Sequence, residues 1–334
     1  MASYKEIFGT NIEVLASDPA NPVAGQVWYN STDNVVKGQG VTTAGSWATG
    51  ASINGAKQSM GSAGSTSTAG LIFGGRIPAY TTEAESYNGT SWTEVNDLNT
   101  ARDSMGGAGA TNTESLAWGG RASDPTVSSN TETWNGTSWT EVNNLNLARA
   151  AMGSSGGAVY TAAVTFGGSG IPLPTQIKSE TETWNGTSWT EVNNLNTARF
   201  YIGGIGSTST AALAFGGYNG TAYVTLTESW NGTSWTEVND LNTPRGASQN
   251  AGSQPAGLVA GGSPPNLANT EEWNGTSWTE TTDVPVSISF GAGFGSSPSA
   301  VAVAGLQTAP YVISQNGYDW LGAGSPLTVS FTDS

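Results

Sequence analysis

The chain has 334 residues, 37% of them hydrophobic, and sets 10 Lys plus Arg against 25 Asp plus Glu for a formal charge of −15. That balance argues against a nucleic-acid partner, which needs clustered positive charge, and against docking on anionic lipid. Cys and His are both absent, which removes disulfides, thiol chemistry, the commonest general base and the commonest metal ligand.

The opening segment, "MASYKEIFGTNIEVLASDP", lacks a basic region followed by an apolar stretch, so it does not read as a Sec signal. No apolar run approaches the roughly 18–20 residues of a membrane span, and no membrane insertion is expected. Residues 21–40, "NPVAGQVWYNSTDNVVKGQG", read as strand, turn, strand: Gln26–Tyr29, then "STDN", then Val35–Lys37.

From residue 41 the chain repeats itself. "TETWNGTSWTEVNNLN" at 131–146 returns at 181–196, with close copies at 85–99, 228–242 and 271–282. Aligned on the Trp of "SW", the copies sit at Trp47, Trp92, Trp139, Trp189, Trp235 and Trp278, with Trp320 in "NGYDW" as a degenerate last one. The steps are 45, 47, 50, 46, 43 and 42 residues, and a strand-rich period in the forties indicates propeller blades. Within 148–192 four short strands are expected, in "ARAAMGSSGGA", "TAAVTFGG", "SETETW" and "TSWTEV". Asn185–Gly186 joins the last two; read as a type I′ turn centre, it sets Trp184 opposite Thr187 and puts Trp184, Thr187 and Trp189 on one face. The small, Gly-rich first strand suits the crowded axis of a propeller. No amphipathic helix pattern interrupts the repeats.

The repeated pieces are Gly74–Gly75, Gly119–Gly120, Gly167–Gly168, Gly216–Gly217 and Gly261–Gly262; Tyr87, Trp134, Trp184, Trp230 and Trp273; and Arg102, Arg149, Arg199 and Arg245. Together they resemble kelch repeats over residues 41–325. The expectation is an all-β, kelch-like β-propeller of six blades, counting Ala304–Gly305 as the sixth Gly-Gly pair. Seven blades is the alternative, if Trp47's strand and "LTVSFT" build another. Ring closure is expected to pair strands from the two ends. The domain reading is 1–40 as an N-terminal attachment hairpin, 41–325 as the propeller and 326–334 as a C-terminal strand or tail. The N-terminal pattern, with "YKEIFGTNIE" before it, resembles kelch-like virion structural proteins of marine tailed bacteriophages of the cyanophage type.

Asn-Gly-Thr at Asn88, Asn135, Asn185, Asn219, Asn231 and Asn274, and Asn30-Ser-Thr, are glycosylation sequons in form. Turn chemistry explains them better, because the hairpin needs Asn-Gly. The once-per-blade Arg is expected to bond carbonyls or the carboxylates of a neighbouring blade. The repeated Glu85, Glu132, Glu182, Glu228 and Glu271 are expected to pair with those arginines or face solvent rather than hold cations. No Asp-rich calcium loop occurs.

Kelch propellers include galactose oxidase, whose copper chemistry needs a Cys–Tyr crosslink and His ligands; this chain has neither residue type, so no cofactor is expected. "TWNGTSW" resembles a sialidase Asp box only in part, with Asn in place of Asp and one residue missing. A carboxylate pair could still cleave glycosides without His, but no catalytic or metal residue is assigned.

Blade length varies in one place. Between the Gly-Gly pair and the next repeated Glu lie 9, 11, 13, 10 and 8 residues, while the rest of each unit is nearly constant. Variable loops on a constant scaffold mark a binding face. The candidate ligand-binding residues there are Arg76, Tyr80, Arg121, Asp124, Gln176, Lys178, Tyr218, Asn219, Tyr223 and Asn266. The expected function is a phage virion structural protein, as tail-fibre receptor-binding module or capsid decoration. Its N-terminal segment would bind other virion proteins in a homo-oligomer or multicopy array, and its loop face a host-surface glycan or protein. A cellular lectin or protein-interaction propeller is the alternative, and a polysaccharide-active hydrolase the third reading.

Overall fold

Residues 12–19, 26–41, 45–155, 159–171, 176–296, 299–307, 312–322 and 326–331 are described by a computed structural model. The repeated aromatic hairpin folds the same way in each copy. Trp134 pairs with Trp139, Trp184 with Trp189, Trp230 with Trp235 and Trp273 with Trp278, which makes the turn four residues long. Asn185 Oδ1 accepts the backbone N–H of Thr187 and of Ser188, each at 2.9 Å, and only Gly186, at φ +92°, takes the left-handed conformation. The type I′ register expected from Asn-Gly is therefore corrected: the Asn side chain closes an Asx turn, and Thr187 lies in the loop. The two Trp still share one face, with ring centroids 5.4 Å apart.

Five antiparallel four-stranded sheets follow in chain order. In the second, Gly106–Thr111, Glu114–Trp118, Thr131–Trp134 and Trp139–Val142 run from the innermost strand to the outermost. The sixth sheet takes Ala292–Ser296, Ser299–Gln307 and Val312–Leu321 from the far end of the propeller chain and Ser46–Gly50 from its near end. Six blades form, closed by a strand from each end. Trp47 occupies the outer strand of the same blade whose third strand carries Trp320, so the first and last Trp of the alignment belong to one blade. Trp320 is thus a third-strand residue rather than a seventh "SW" copy. The seven-blade alternative fails for a second reason: Pro326–Phe331 pairs with Val35–Val41, outside the ring.

Aromatic residues weld blade to blade. Phe73, Trp118, Phe166 and Phe215 end their second strands and pack on Trp139, Trp189, Trp235 and Trp278 of the following blade, centroids 4.8–5.1 Å apart. Around the axis, equivalent inner-strand positions alternate Ser62, Gly107, Ser154, Gly204, Asn250 and Gly293. A Cβ at Gly107, Gly204 or Gly293 would strike the backbone of Ser62, Ser154 or Asn250, so these three positions admit only glycine.

The chain divides into two compact units, Met1–Ser46 with Leu321–Ser334, and Trp47–Trp320. The first is a four-stranded sheet. Glu13–Leu15 runs parallel to Val27–Asn30, which pairs antiparallel with Val35–Val41, which pairs antiparallel with Pro326–Phe331. Of the segment read as a C-terminal strand or tail, Pro326–Phe331 is a strand beside the expected hairpin. Asp18 organises this unit: it accepts hydrogen bonds from Trp28 Nε1 at 3.0 Å, Asn30 Nδ2 at 2.8 Å and Lys37 Nζ at 2.8 Å. Among the described residues no helix is long and apolar enough to cross a membrane.

Candidate functional site

The loops after the Gly-Gly pairs and the segments that link blades emerge together. Antiparallel bridges join Gln58 to Arg76, Asp103 to Arg121, Ala150 to Ser169, Phe200 to Tyr218 and Gly246 to Ser263. Beside these bridges the linking segments form a closed circle. Ser104 N donates to Ser59 O, Ala151 to Ser104, Tyr201 to Ala151, Ala247 to Tyr201, Phe290 to Ala247 and Ser59 to Phe290, at 2.6–3.0 Å. All six residues are left-handed, with φ between 52° and 56°. The strain of non-glycine residues in that region is offset by six backbone hydrogen bonds. The result is a rigid collar round the channel mouth on the loop face.

The repeated Arg and Glu are consumed beneath this face. Arg102 Nη1 donates to the carbonyls of Gly119 and Asn130, each at 2.8 Å, and Nη2 to Glu132 Oε1 at 2.6 Å. Glu132 Oε2 accepts both Asn99 N and Asn99 Nδ2. Arg199–Glu228 and Arg245–Glu271 repeat the pair at 2.7 Å, Arg149–Glu182 at 3.2 Å, and Lys57–Glu85 at 2.8 Å. Burial pushes the arginine pKa values down against the pull of each carboxylate. In the sixth blade Ile288 and Tyr318 replace the ion pair inside an apolar cluster. These residues stitch linking segments to blades, as the sequence suggests. The Asn-Gly-Thr asparagines are likewise occupied: Asn88, Asn135, Asn231 and Asn274 cap their turns as Asn185 does.

Of the candidate ligand residues, four come together. Arg76 and Arg121 both face the Tyr80 ring, their guanidinium carbons 5.1 and 5.8 Å from its centroid. Asp124 lies between the arginines, 3.7 Å from Arg76 and 3.5 Å from Arg121. Asp103, which loop reasoning missed, holds Arg121 through Nε at 3.2 Å and Nη2 at 3.0 Å. Burial opposes the charge on Arg121, but the Asp103 hydrogen bonds outweigh it and raise the guanidinium pKa. Burial raises the Tyr80 phenol, whose enclosed hydroxyl also feels the Asp124 carboxylate beside it.

Tyr218 and Tyr223 form a second cluster, centroids 5.2 Å apart. It includes three residues absent from the sequence reading. Phe200 packs on Tyr218 at 5.5 Å and on Tyr201 at 4.7 Å, and Tyr201 meets Phe290 edge-on at 5.2 Å. Phe200, Tyr201 and Phe290 lie in the linking segments. Their signal was available as the unrepeated pair after the repeated Arg position, which is Asp-Ser, Ala-Ala, Phe-Tyr, Gly-Ala and, after Ile288, Ser-Phe in successive copies. Tyr201 is raised by burial, and the charges of Arg121, Asp103 and Arg76 reach it.

The remaining candidates join neither cluster. Asn219 caps a local turn through Thr221 N and Ala222 N. Asn266 donates to Leu306 O and accepts from Ser289 Oγ, tying its loop to the sixth blade. Gln176 contributes its carbonyl to Gly170 N and Ser169 Oγ. Lys178 stands 4.0 Å from Glu180. Residues 172–175 of the same loop, part of the variable segment read as binding surface, lie outside the described residues. No group of three His, Cys, Asp or Glu among the described residues could hold a metal.

No family model matches the chain. No curated protein matches it either. Among solved structures, one described as the structure of YjhT superposes with a TM-score of 0.65 at 11% identity, covering 79% of this chain and 95% of that one. At that identity the likeness shows the fold alone: this chain is similar to YjhT as a β-propeller.

Proposed function

We propose that this protein is a non-enzymatic binding propeller whose loop face engages a cell-surface glycan or protein. We further propose that it is displayed in many copies on a tailed-phage particle, attached through the N-terminal unit. One observation carries the binding reading. On blades that are otherwise near copies, the unrepeated aromatic and cationic side chains gather on one face round a rigid collar. Half-buried tyrosines with fixed arginines make a polar-and-aromatic surface of the kind that orients sugars and peptides. Multicopy display would raise weak contacts to useful avidity. The virion location rests on the N-terminal resemblance.

Immunogold electron microscopy with antibody to the recombinant propeller, on particles of a phage encoding the chain, tests the location. Label at the tail supports receptor binding, and label over the head supports capsid decoration. Unlabelled particles would remove the virion reading and leave a cellular lectin or interaction propeller.

A further inference from the structure

Cations are scarce, and their placement is uneven. Of the ten Lys and Arg, four Arg and Lys57 are buried in the stitches, Lys37 belongs to the N-terminal unit, and Lys5 lies outside the described residues. The three that are left, Arg76, Arg121 and Lys178, all sit in the loops between second and third strands of three consecutive blades. Among its described residues the propeller surface elsewhere carries only carboxylates. In a chain of charge −15 this face is where an anion meets least repulsion.

Two like charges held over one tyrosine need counter-ions. Asp103 is a fixed one, buried and bonded twice to Arg121. Asp124 differs. Its side chain is 59% exposed, and it reaches each arginine only at 3.5–3.7 Å, beyond good hydrogen-bond length. So loose and solvated a pair contributes little. The Tyr80 ring holds both guanidinium groups from below, so their positions do not depend on Asp124. A carboxylate or sulfate has the geometry to bridge two such groups with shorter bonds. Tyr201, a half-buried ring that the charges of Arg121 and Arg76 reach, offers aromatic surface for the sugar ring that bears it.

We propose that the space between Arg76 and Arg121 is an anion subsite for the carboxylate or sulfate of an acidic polysaccharide, and that Asp124 is the counter-ion this group displaces. This deepens the proposed glycan-binding role of the loop face and rests on it.

The test is calorimetric titration of the full chain with three oligosaccharides of equal length: an oligogalacturonate, a sulfated galactan fragment and its neutral, desulfated form. The acidic ligands bind, the neutral one binds less tightly, and added salt weakens the acidic ones selectively. Whichever acidic ligand binds more tightly identifies the anionic group. Arg76→Gln, with unchanged circular dichroism and melting, weakens acidic binding about tenfold, the loss of one charged hydrogen bond. Asp124→Asn strengthens it. Equal binding of neutral and acidic ligands, unaltered by either variant, overturns the anion subsite but leaves a glycan-binding face. Failure of all three ligands to bind overturns the acidic-polysaccharide inference, and particle labelling then decides the proposed display role independently.

Discussion

The rings of Trp47 and Trp320 stand 5.2 Å apart, one from each end of the propeller's chain. Trp47 Nε1 also donates to Thr270 Oγ1 at 3.1 Å, as Trp235 does to Thr181 and Trp278 to Thr227. The closing hairpin thus keeps the aromatic pair and the indole–Thr bond of the internal ones, with Trp47 partly buried against Ala260. Trp47→Ala should cost about 3 kcal/mol, at the low end for a Trp deletion. Urea denaturation beside Trp235→Ala checks this; a much smaller loss would mean the seam contributes little.

Asp319 lies beside that seam with Oδ1 buried and without a hydrogen-bond partner, and burial raises its pKa. A raised carboxyl binds its proton more tightly in the folded state, so its charge weakens folding once the pH rises above the unfolded value. Asp319→Asn should therefore raise the melting temperature at pH 7, with the gain shrinking as the pH falls through the raised value and gone below about 4. Melting curves across that range decide it.

Two rungs of the Trp–Thr ladder are missing; at one Trp92 Nε1 donates to Ala51 O instead, and at the other the indole has no acceptor. Thr131, Thr181, Thr227 and Thr270 each receive an indole N–H from the following blade, but the first blade has Ala84 at that position. Trp139 Nε1 is accordingly buried without a partner. Ala84→Thr should stabilise the protein by about 0.5–1.5 kcal/mol, the net worth of a hydrogen bond. Thermal melting of this variant beside Ala84→Val separates the hydroxyl from the added bulk.

The sixth blade shows how a stitch can be apolar. Val284, Pro285 and Ile288 stand where the second blade has Leu98, Asn99 and Arg102, and Tyr318 stands for Glu132. Pro285 carries no N–H, so the acceptor that Glu132 provides for Asn99 is not needed there. Glu132→Gln strands Arg102 and should cost about 3–5 kcal/mol. The combined graft Asn99→Pro, Arg102→Ile, Glu132→Tyr should cost less than that single change. Denaturation midpoints of the two proteins test the order.

In the N-terminal unit the acid response should come from Asp18. Hydrogen bonds from Lys37, Asn30 and Trp28 lower its pKa from 3.8 to about 2. A depressed carboxyl contributes stability above its unfolded value that is lost as the pH falls through the folded one. The Trp28 indole N–H resonance should thus shift with a midpoint at about pH 2, and Asp18→Asn should abolish the shift.

Repetition made the fold legible. Four copies of Trp-Asn-Gly-Thr-Ser-Trp and one that opens on Tyr87 located the hairpins, and their spacing set the blade count. The misalignment of Trp320 has a physical cause. Asn316–Gly317 imitates the turn dipeptide but lies inside the long strand Val312–Leu321, because the outer strand it would turn into is supplied by Ser46–Gly50. Local sequence cannot distinguish a turn from a strand whose partner is remote. The site was half legible for a related reason. Counting loop lengths found Arg76, Tyr80, Arg121, Asp124, Tyr218 and Tyr223, which do gather. It missed Asp103, Phe200, Tyr201 and Phe290, whose linking segments keep constant length and vary only in side chain. Asn219 and Asn266 looked like ligand groups because amides serve both turns and ligands.

The loop face as the binding face is the central claim. Its most direct test is binding of multivalent bead-displayed protein to host cells, comparing wild type, Tyr218→Ser/Tyr223→Ser, and Glu94→Gln/Glu141→Gln on the outer strands. Wild type and the outer-strand variant should bind alike, and the loop-face variant should lose most binding while keeping its melting temperature. Undiminished binding by the loop-face variant, or loss confined to the outer-strand variant, would contradict the account.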